Sequence, residues 1–466
     1  MLNYFPQYFA NRAIICYLVT LAVVSFVFMG HILPFQFMLF GLGAVLIFFL
    51  ASNRQTKAWR SMSPKGFSSR LFSTALVIRL VYTVFIYFYF TAMTGQPHGY
   101  GAADELFYEE MGGLWRNYGY DVFSQQISDT ELSDSGYPAW LAFEKLLFGT
   151  GVLIPHLIKC FFDAGTCVLI YKLGSRNFGD STGRMAAIFC MLMPNFWYYC
   201  GVSLKETEMV FLTVLFAERT DYLLRSPRFR LKKLVLPVLC PLALFTFRTV
   251  LATVLVLALG VTLVFSSNRM SRAWKNMLYV VFFAGLVLVI VRMGIAEQIQ
   301  EVWEASADNQ SQGMEWRSQR VGGNAFAKYA GAAVFAPLIF TIPFPTMVEI
   351  PWQEPQMMFN GANFIKNIMS GFTILALFML FFRGEWRKHV LPLAIMLGYL
   401  VVIAFSNFAQ SERFHLPALP FELMFAAYGI SQLKPKHKTW FSIWIVGIAV
   451  ANVAWAWFKL AGRGMV

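Results

Sequence analysis

The feature that most constrains this chain is the recurrence of apolar blocks about as long as a bilayer's hydrocarbon core is thick. Crossing a core of about 30 Å takes roughly 20 helical residues. Within lipid every backbone polar group must find its partner inside its own segment, so such blocks fold as helices. Of the 466 residues 58% are hydrophobic and only 14% charged, too few charges to cover a soluble domain of this size. The expected fold is therefore an all-α polytopic membrane protein. The formal charge of +13 does not point to nucleic acid, because Lys and Arg fall in short clusters between apolar blocks, as topology signals do.

Threading the blocks with alternating sides gives an orientation. Arg12 to Gly30 and Leu33 to Ser52 form a hairpin, and the loop after it carries Arg54, Lys57, Arg60, Lys65 and Arg70. The positive-inside rule places that loop and the N-terminus in the cytoplasm. The start lacks a basic n-region and a cleavage site, so the first helix is expected to be uncleaved. Leu71 to Thr94 crosses outward; Leu153 to Leu173 returns, Met185 to Gly201 exits, and Leu204 to Leu224 returns to Arg225, Arg228, Arg230, Lys232 and Lys233. Leu234 to Phe265 is too long for one span; two short helices meeting near Arg248 keep Arg269, Arg272 and Lys275 inside.

Trp274 to Val291 then exits to a long outer segment, Gly294 to Gln356. Its prolines between Pro337 and Pro355 argue against a regular crossing helix, so it reads as an outer or re-entrant piece. Phe364 to Phe382, Leu391 to Phe408, Phe414 to Leu433 and Trp440 to Phe458 complete about 11–13 transmembrane helices. The last span leaves Lys459 and Arg463 outside, against the rule. This divides the chain into a hairpin and cytoplasmic loop (1–70), a core (71–293) with an outer loop at 95–150, the segment 294–362, and C-terminal helices (363–466). The six cysteines lie in or beside apolar segments, without CxxC pairs or His at metal-ligand spacing, and read as small core residues.

Gly99 to Pro138 stands apart. It holds Asp104, Glu105, Glu109, Glu110, Asp121, Asp129, Glu131 and Asp134 against the single cation Arg116, and the threading puts it outside. Leu106, Phe107, Met111, Leu114 and Trp115 recur in it at roughly helical spacing, as in an amphipathic helix on a membrane surface. Three further groups of charges reach the same side: Lys205, Glu206 and Glu208 at the start of one span, Arg248 at the apex of the split pair, and Glu412 with Arg413 at the start of another. Ionisable groups at apolar depth cost about 2.5–3.5 kcal/mol each on insertion scales and mark function by default. Arg79, Asp163 and the Glu218, Arg219, Asp221 group lie deeper or toward the inner end and read as structural pairs. Carboxylates with cations on one face suit displacement at a sugar carbon bearing a phosphate. A carboxylate takes the acceptor's proton, while Arg and Lys neutralise the leaving phosphate.

These residues, in this order, resemble the GT-C superfamily of integral-membrane glycosyltransferases. That superfamily includes the dolichyl-phosphate-mannose protein mannosyltransferases and the bacterial aminoarabinose transferases of lipid A. The D-E-x-x-Y pattern of the first outer loop is matched by Asp104, Glu105 and Tyr108. A Y-P segment ending in F-G is matched by Tyr137-Pro138 and Phe148-Gly149. R-x-x-F-G on the inner side corresponds to Arg176 and Phe178-Gly179, one residue closer together here, with Met193-Pro194 following. A Glu opening the next outer helix corresponds to Glu206 or Glu208, and a late R-[FY]-x-x-P-x-x-P to Arg413-Phe414, Pro417 and Pro420. The similarity is clearest over Leu71 to Leu224. The C-terminal half has no large soluble domain and no W-W-D-like motif, so transfer to Asn is not expected.

The resemblance implies inverting transfer from a polyprenyl-phosphate sugar to a glycan, lipid or protein acceptor, on the extracytoplasmic face of a bacterial inner membrane. Asp104 would be the base and Glu105 its helper or a metal ligand. Lys205, Arg248 and Arg413 would bind the donor phosphate, and Tyr108, Tyr137, Glu206 and Glu208 would support them. No cofactor is expected. Two other readings stay open: an O-antigen-type polymerase or ligase using lipid-diphosphate-linked oligosaccharide, and a lipid or sugar transporter.

Overall fold

In a computed structural model the described residues are 2–119, 134–226, 231–265, 310–319, 322–329, 331–406, 408–435 and 437–466. Asp121, Asp129, Glu131, Arg228, Arg230, Arg269, Arg272, Lys275 and the expected span Trp274 to Val291 lie outside them, as does all of 294–309.

The protein is an all-α polytopic membrane protein. Among the described residues six helices are long and apolar enough to cross a bilayer: α1 (Gln7–Val27), α2 (Phe35–Ala58), α3 (Pro64–Thr94), α6 (Leu153–Phe178), α12 (Asn360–Phe382) and α16 (His437–Ala461). Between α3 and α6 come α4 (Ala103–Tyr118) and α5 (Gly136–Phe148). After α6 follow α7 (Asp180–Leu192), α8 (Pro194–Cys200), α9 (Glu206–Leu224), α10 (Val235–Phe247) and α11 (Thr249–Phe265). The C-terminal part adds α13 (Val390–Ala404), α14 (Glu412–His415) and α15 (Leu419–Ser431). Among the described residues there is no strand, only an isolated bridge between Ile32 and Val348.

Local chemistry sets the boundaries. Ser63 caps α3 by accepting from the Gly66 amide at 3.2 Å, with Pro64 in the first turn, where its missing N–H costs nothing. Gly95, at φ 79°, ends that helix. Pro194 divides the expected span Met185 to Gly201 into α7 and α8: it cannot donate to a continuing helix but suits the first turn of a new one. The run from Leu234 to Phe265 breaks at Arg248, which is extended at φ −164° and ψ 100°, between α10 and α11. The two-helix reading of that run is what the structure contains.

Burial sorts the helices into centre and rim. All thirteen residues of α15 are buried, as are eleven of the thirteen in α7. Two-thirds of the apolar window of α12 is buried, against 28% for α3 and 22% for α16, whose outer faces carry exposed Val, Ile and Phe suited to lipid. Small residues allow the closest crossings. A methyl group on Gly361 of α12 would sit 2.3 Å from the Gly41 carbonyl of α2, and Tyr17 of α1 joins Asn360 beside it at 2.5 Å.

One ion pair lies in the middle of the bundle. Arg79 of α3 is wholly buried against Asp163 of α6, and its remaining N–H groups donate to the carbonyls of Cys190 and Met191 at 3.2 and 3.1 Å. At one end of the bundle, Arg176 holds Glu218 at 2.8 Å and Asp221 at 2.9 Å. Each of these groups is the structural pair its sequence position suggests. The opposite end carries α4.

The Pro-rich segment forms no long helix within its described part. It tucks against the bundle, with Met347, Val348 and Ile350 fully buried and the Glu349 amide donating to the His31 carbonyl at 3.0 Å.

Candidate functional site

The α4 helix forms where the acidic motif was expected, turned so that only one side of the motif faces the bundle. Glu105, Tyr108, Gly112 and Trp115, spaced three or four residues apart, are its buried positions. Leu106 and Phe107 are exposed. The buried face packs on α5, where Gly112 approaches Leu141 so closely that a Cβ would lie 2.8 Å from it.

This rotation separates the two adjacent carboxylates. Glu105 is buried, accepting from the Gly99 amide at 3.2 Å and the Ser203 amide at 3.0 Å, with His98 at 3.7 Å. It ties the entrance of α4 to the turn before α9. Asp104 faces outward, about half exposed, with Oδ2 2.6 Å from Nη1 of Arg413.

Arg413 belongs to α14, and beneath it lies Glu206, the first residue of α9. Glu206 is 1% exposed and sits 3.7 Å from Arg413 and 4.0 Å from Arg248. Burial works against the Arg413 cation, but the negative charges of Glu206 and Asp104 outweigh it and hold it protonated. Phe414 lies under both guanidinium groups, 4.1 Å from Arg248 and 5.0 Å from Arg413. The break in the long apolar run leaves the Phe247 carbonyl without a helical partner. Lys205 takes it at 2.8 Å, contacts Asp134, and lies 5.6 Å over the Tyr108 ring. Asp104, Lys205, Glu206, Arg248 and Arg413 thus converge from four separate parts of the chain.

Glu208 and Tyr137 lie deeper, around a lysine the sequence reading passed over. Lys159 of α6, 1% exposed, donates to the Val202 carbonyl at 2.8 Å, contacts the Leu204 carbonyl, and stands 3.4 Å from the Tyr137 hydroxyl and 3.8 Å from Glu208. Its signal was available: it is a cation inside the apolar run LIPHLIKCFF. Glu109, another acid of the outer stretch, bridges Lys145 and Ser203, each at 2.6 Å, and Ser203 meets His156 at 3.0 Å. Glu144 on α5 is held up to about 8, first by burial and then by the negative charge of Glu208.

Of two cavities, one adjoins Arg413 and the other is lined by none of these charged residues. One, of about 300 Å³, opens beside Arg413 and is lined further by Lys459, Arg463 and Arg317. The other, of about 200 Å³, is apolar, between α2, α3, α8 and α12, with Phe40, Tyr82, Trp197, Tyr198 and Phe359 in its wall. Among the described residues no three His, Cys, Asp or Glu side chains gather where they could hold a metal ion. No family model matches the chain, and no curated protein or solved structure matches it.

Proposed function

We propose that the protein is a membrane glycosyltransferase that moves a sugar from a polyprenyl-phosphate donor to a glycan, lipid or protein acceptor. The reaction takes place at the α4 end of the bundle, on the extracytoplasmic face of a bacterial inner membrane. The observation that carries this reading is the juxtaposition of an exposed carboxylate, Asp104, with the paired guanidinium groups of Arg413 and Arg248.

The step needs a base for the acceptor and cations for the leaving group. The acceptor O–H attacks the anomeric carbon and gives its proton to Asp104, while the carbon–oxygen bond to phosphate breaks and the phosphate keeps the electron pair. Arg413 and Arg248 meet the charge that builds on the phosphate oxygens. Asp104 is paired with Arg413 at 2.6 Å, so an arriving phosphate competes for that guanidinium and frees the carboxylate for the acceptor. Glu206 keeps the two arginines together without occupying the exposed side. Glu105, holding two backbone amides, fixes α4 so that Asp104 stays in place. The apolar cavity beside α2 and α3 suits the first isoprene units of a donor.

The test is transfer by purified protein from a labelled polyprenyl-phosphate sugar. Asp104→Asn should abolish product while the protein elutes and melts as wild type; full activity in that variant would remove Asp104 as the base. The polymerase or ligase reading also uses arginines, and the cation-rich cavity beside Arg413 favours it over a transporter. Turnover of diphosphate-linked oligosaccharide, with none of the monophosphate donor, would select it.

A further inference from the structure

The 300 Å³ cavity beside Arg413 is walled by more than cations. Aromatic rings and carboxamides share its lining: Trp316, Phe408 and Phe414 among the rings, Gln353, Gln356 and Gln410 among the amides. A volume of that size holds about ten waters at roughly 30 Å³ each, enough for one sugar ring.

Two of the amides have a fixed orientation. The ammonium group of Lys459 can only donate, and it donates to the side-chain oxygens of Gln356 at 2.7 Å and Gln353 at 3.1 Å. Each glutamine therefore turns its oxygen to the lysine, and its NH2 end has no partner among the described residues. Gln410 is half-buried, and among the described residues its side chain makes no hydrogen bond. Three carboxamides thus bring donors, and one of them a whole amide, to a single enclosed space.

The rings are accessible as well. Phe408 and Phe414 stack at 4.2 Å with 7° between their planes, and Phe408 and Trp316 are exposed. An inorganic anion would accept from the amides and gain nothing from the rings. A hydrocarbon chain would cover the rings and leave the amides unpaired, which costs free energy. A sugar ring suits both: its hydroxyls donate and accept, and the C–H groups of its face lie against the negative face of an aromatic ring. Aromatic residues also collect at membrane interfaces without any ligand. That accounts for the rings but not for two glutamines oriented by a lysine that is only 6% exposed.

We propose that this cavity binds a sugar residue of the acceptor, so that the acceptor is a carbohydrate. Its role as acceptor site rests on the glycosyltransferase reading; the binding of a sugar rests on the amides and rings alone, whatever the charge of the neighbouring cations. Arg413 belongs to the same wall and holds Asp104 at 2.6 Å, which brings the bound sugar next to the base. One of its hydroxyl oxygens bonds to the anomeric carbon of the donor, the hydroxyl proton passes to Asp104, and the phosphate departs with the electron pair.

Full-length protein in nanodiscs of phosphatidylcholine, free of glycosidic detergent and of donor, would be mixed with methyl glycosides of a hexose, a 6-deoxyhexose, a pentose, an N-acetylhexosamine and a uronic acid. Saturation-transfer NMR reads contact between the protein and the sugar C–H protons. At least one glycoside should show saturable contact. Gln410→Ala should weaken it about tenfold, the scale of one hydrogen bond, and Trp316→Ala should weaken it too. Lys438→Gln, at the other end of α16, should leave it unchanged. In the transfer assay Gln410→Ala should raise KM for the acceptor and leave kcat close to wild type. Sugar binding by a protein that transfers nothing would remove the acceptor role and the proposed reaction while the sugar site stands. No contact with any glycoside, inorganic phosphate binding in their place, or contact undiminished in both Gln410→Ala and Trp316→Ala would overturn the site, even in a protein that transfers sugar.

Discussion

Asp104 and Arg413 meet at 2.6 Å, although one opens α4 and the other lies on α14, far along the chain. The same guanidinium faces Glu206 at 3.7 Å through its Nε, so a single arginine joins an exposed carboxylate to a buried one. A lysine presents a point charge and cannot bridge both directions. Arg413→Lys is therefore expected to lower transfer by about 10²-fold or more, on the scale of a misplaced catalytic base, with a melting temperature close to wild type. Steady-state rates beside a thermal melt check this; equal rates would remove Arg413 from the site.

The Arg79–Asp163 pair makes a stability prediction. Removing one partner of a buried pair leaves an uncompensated charge and costs about 3–5 kcal/mol. Asp163→Leu alone should greatly reduce the yield of monodisperse protein. Arg79→Met combined with Asp163→Leu should recover part of that yield, because no lone charge remains. A double variant worse than both single ones would show that Arg79 matters chiefly through the Cys190 and Met191 carbonyls.

Glu144 gives a pH dependence with a definite sign. Its folded value of about 8 lies above the ordinary 4.5, so the fold favours the protonated form. That contribution is fully present below about pH 4.5 and is lost as pH rises towards 8. Glu144→Gln should melt above wild type at pH 8.5, with the difference shrinking towards pH 5. Parallel melting curves across that range would contradict the assignment.

The crossing of α2 and α12 is sensitive to a single methyl group. Gly361→Ala would set a carbon 2.3 Å from the Gly41 carbonyl, forcing the helices apart at a cost of about 1–3 kcal/mol. Gly43→Ala, on the same helix as Gly41 but with open space around it, should be neutral. Thermal melts of the two variants side by side decide the matter.

Much of this was legible in the sequence, and the parts that were not share a cause. The split at Arg248 could be read because a charge interrupts an apolar run too long for one helix. The gathering of Lys205, Glu206, Arg248 and Arg413 with Asp104 followed from placing each charge at the end of a span. Periodicity alone could not say which of Asp104 and Glu105 turns inward. That depends on the amides of Gly99 and Ser203, and the second of these comes from a distant part of the chain. Likewise Glu109 reads as one loop acid among eight until Lys145 and Ser203 are seen beside it. Lys159 is a different case: the cost of a cation in an apolar run applied to it as much as to Arg79.

The break at Arg248 also fixes a depth. With 13 residues, α10 rises at most about 20 Å, some 10 Å short of a typical hydrocarbon core of about 30 Å. Measured from Lys232 and Lys233 at its start, the arginine therefore lies beneath the level of the lipid headgroups on the α4 side. The apolar helix ending at Arg248 is thus shorter than the core it would have to cross. On the proposed function, a prenyl-borne phosphate would reach Arg248 and Arg413 there without lifting its chain out of the membrane.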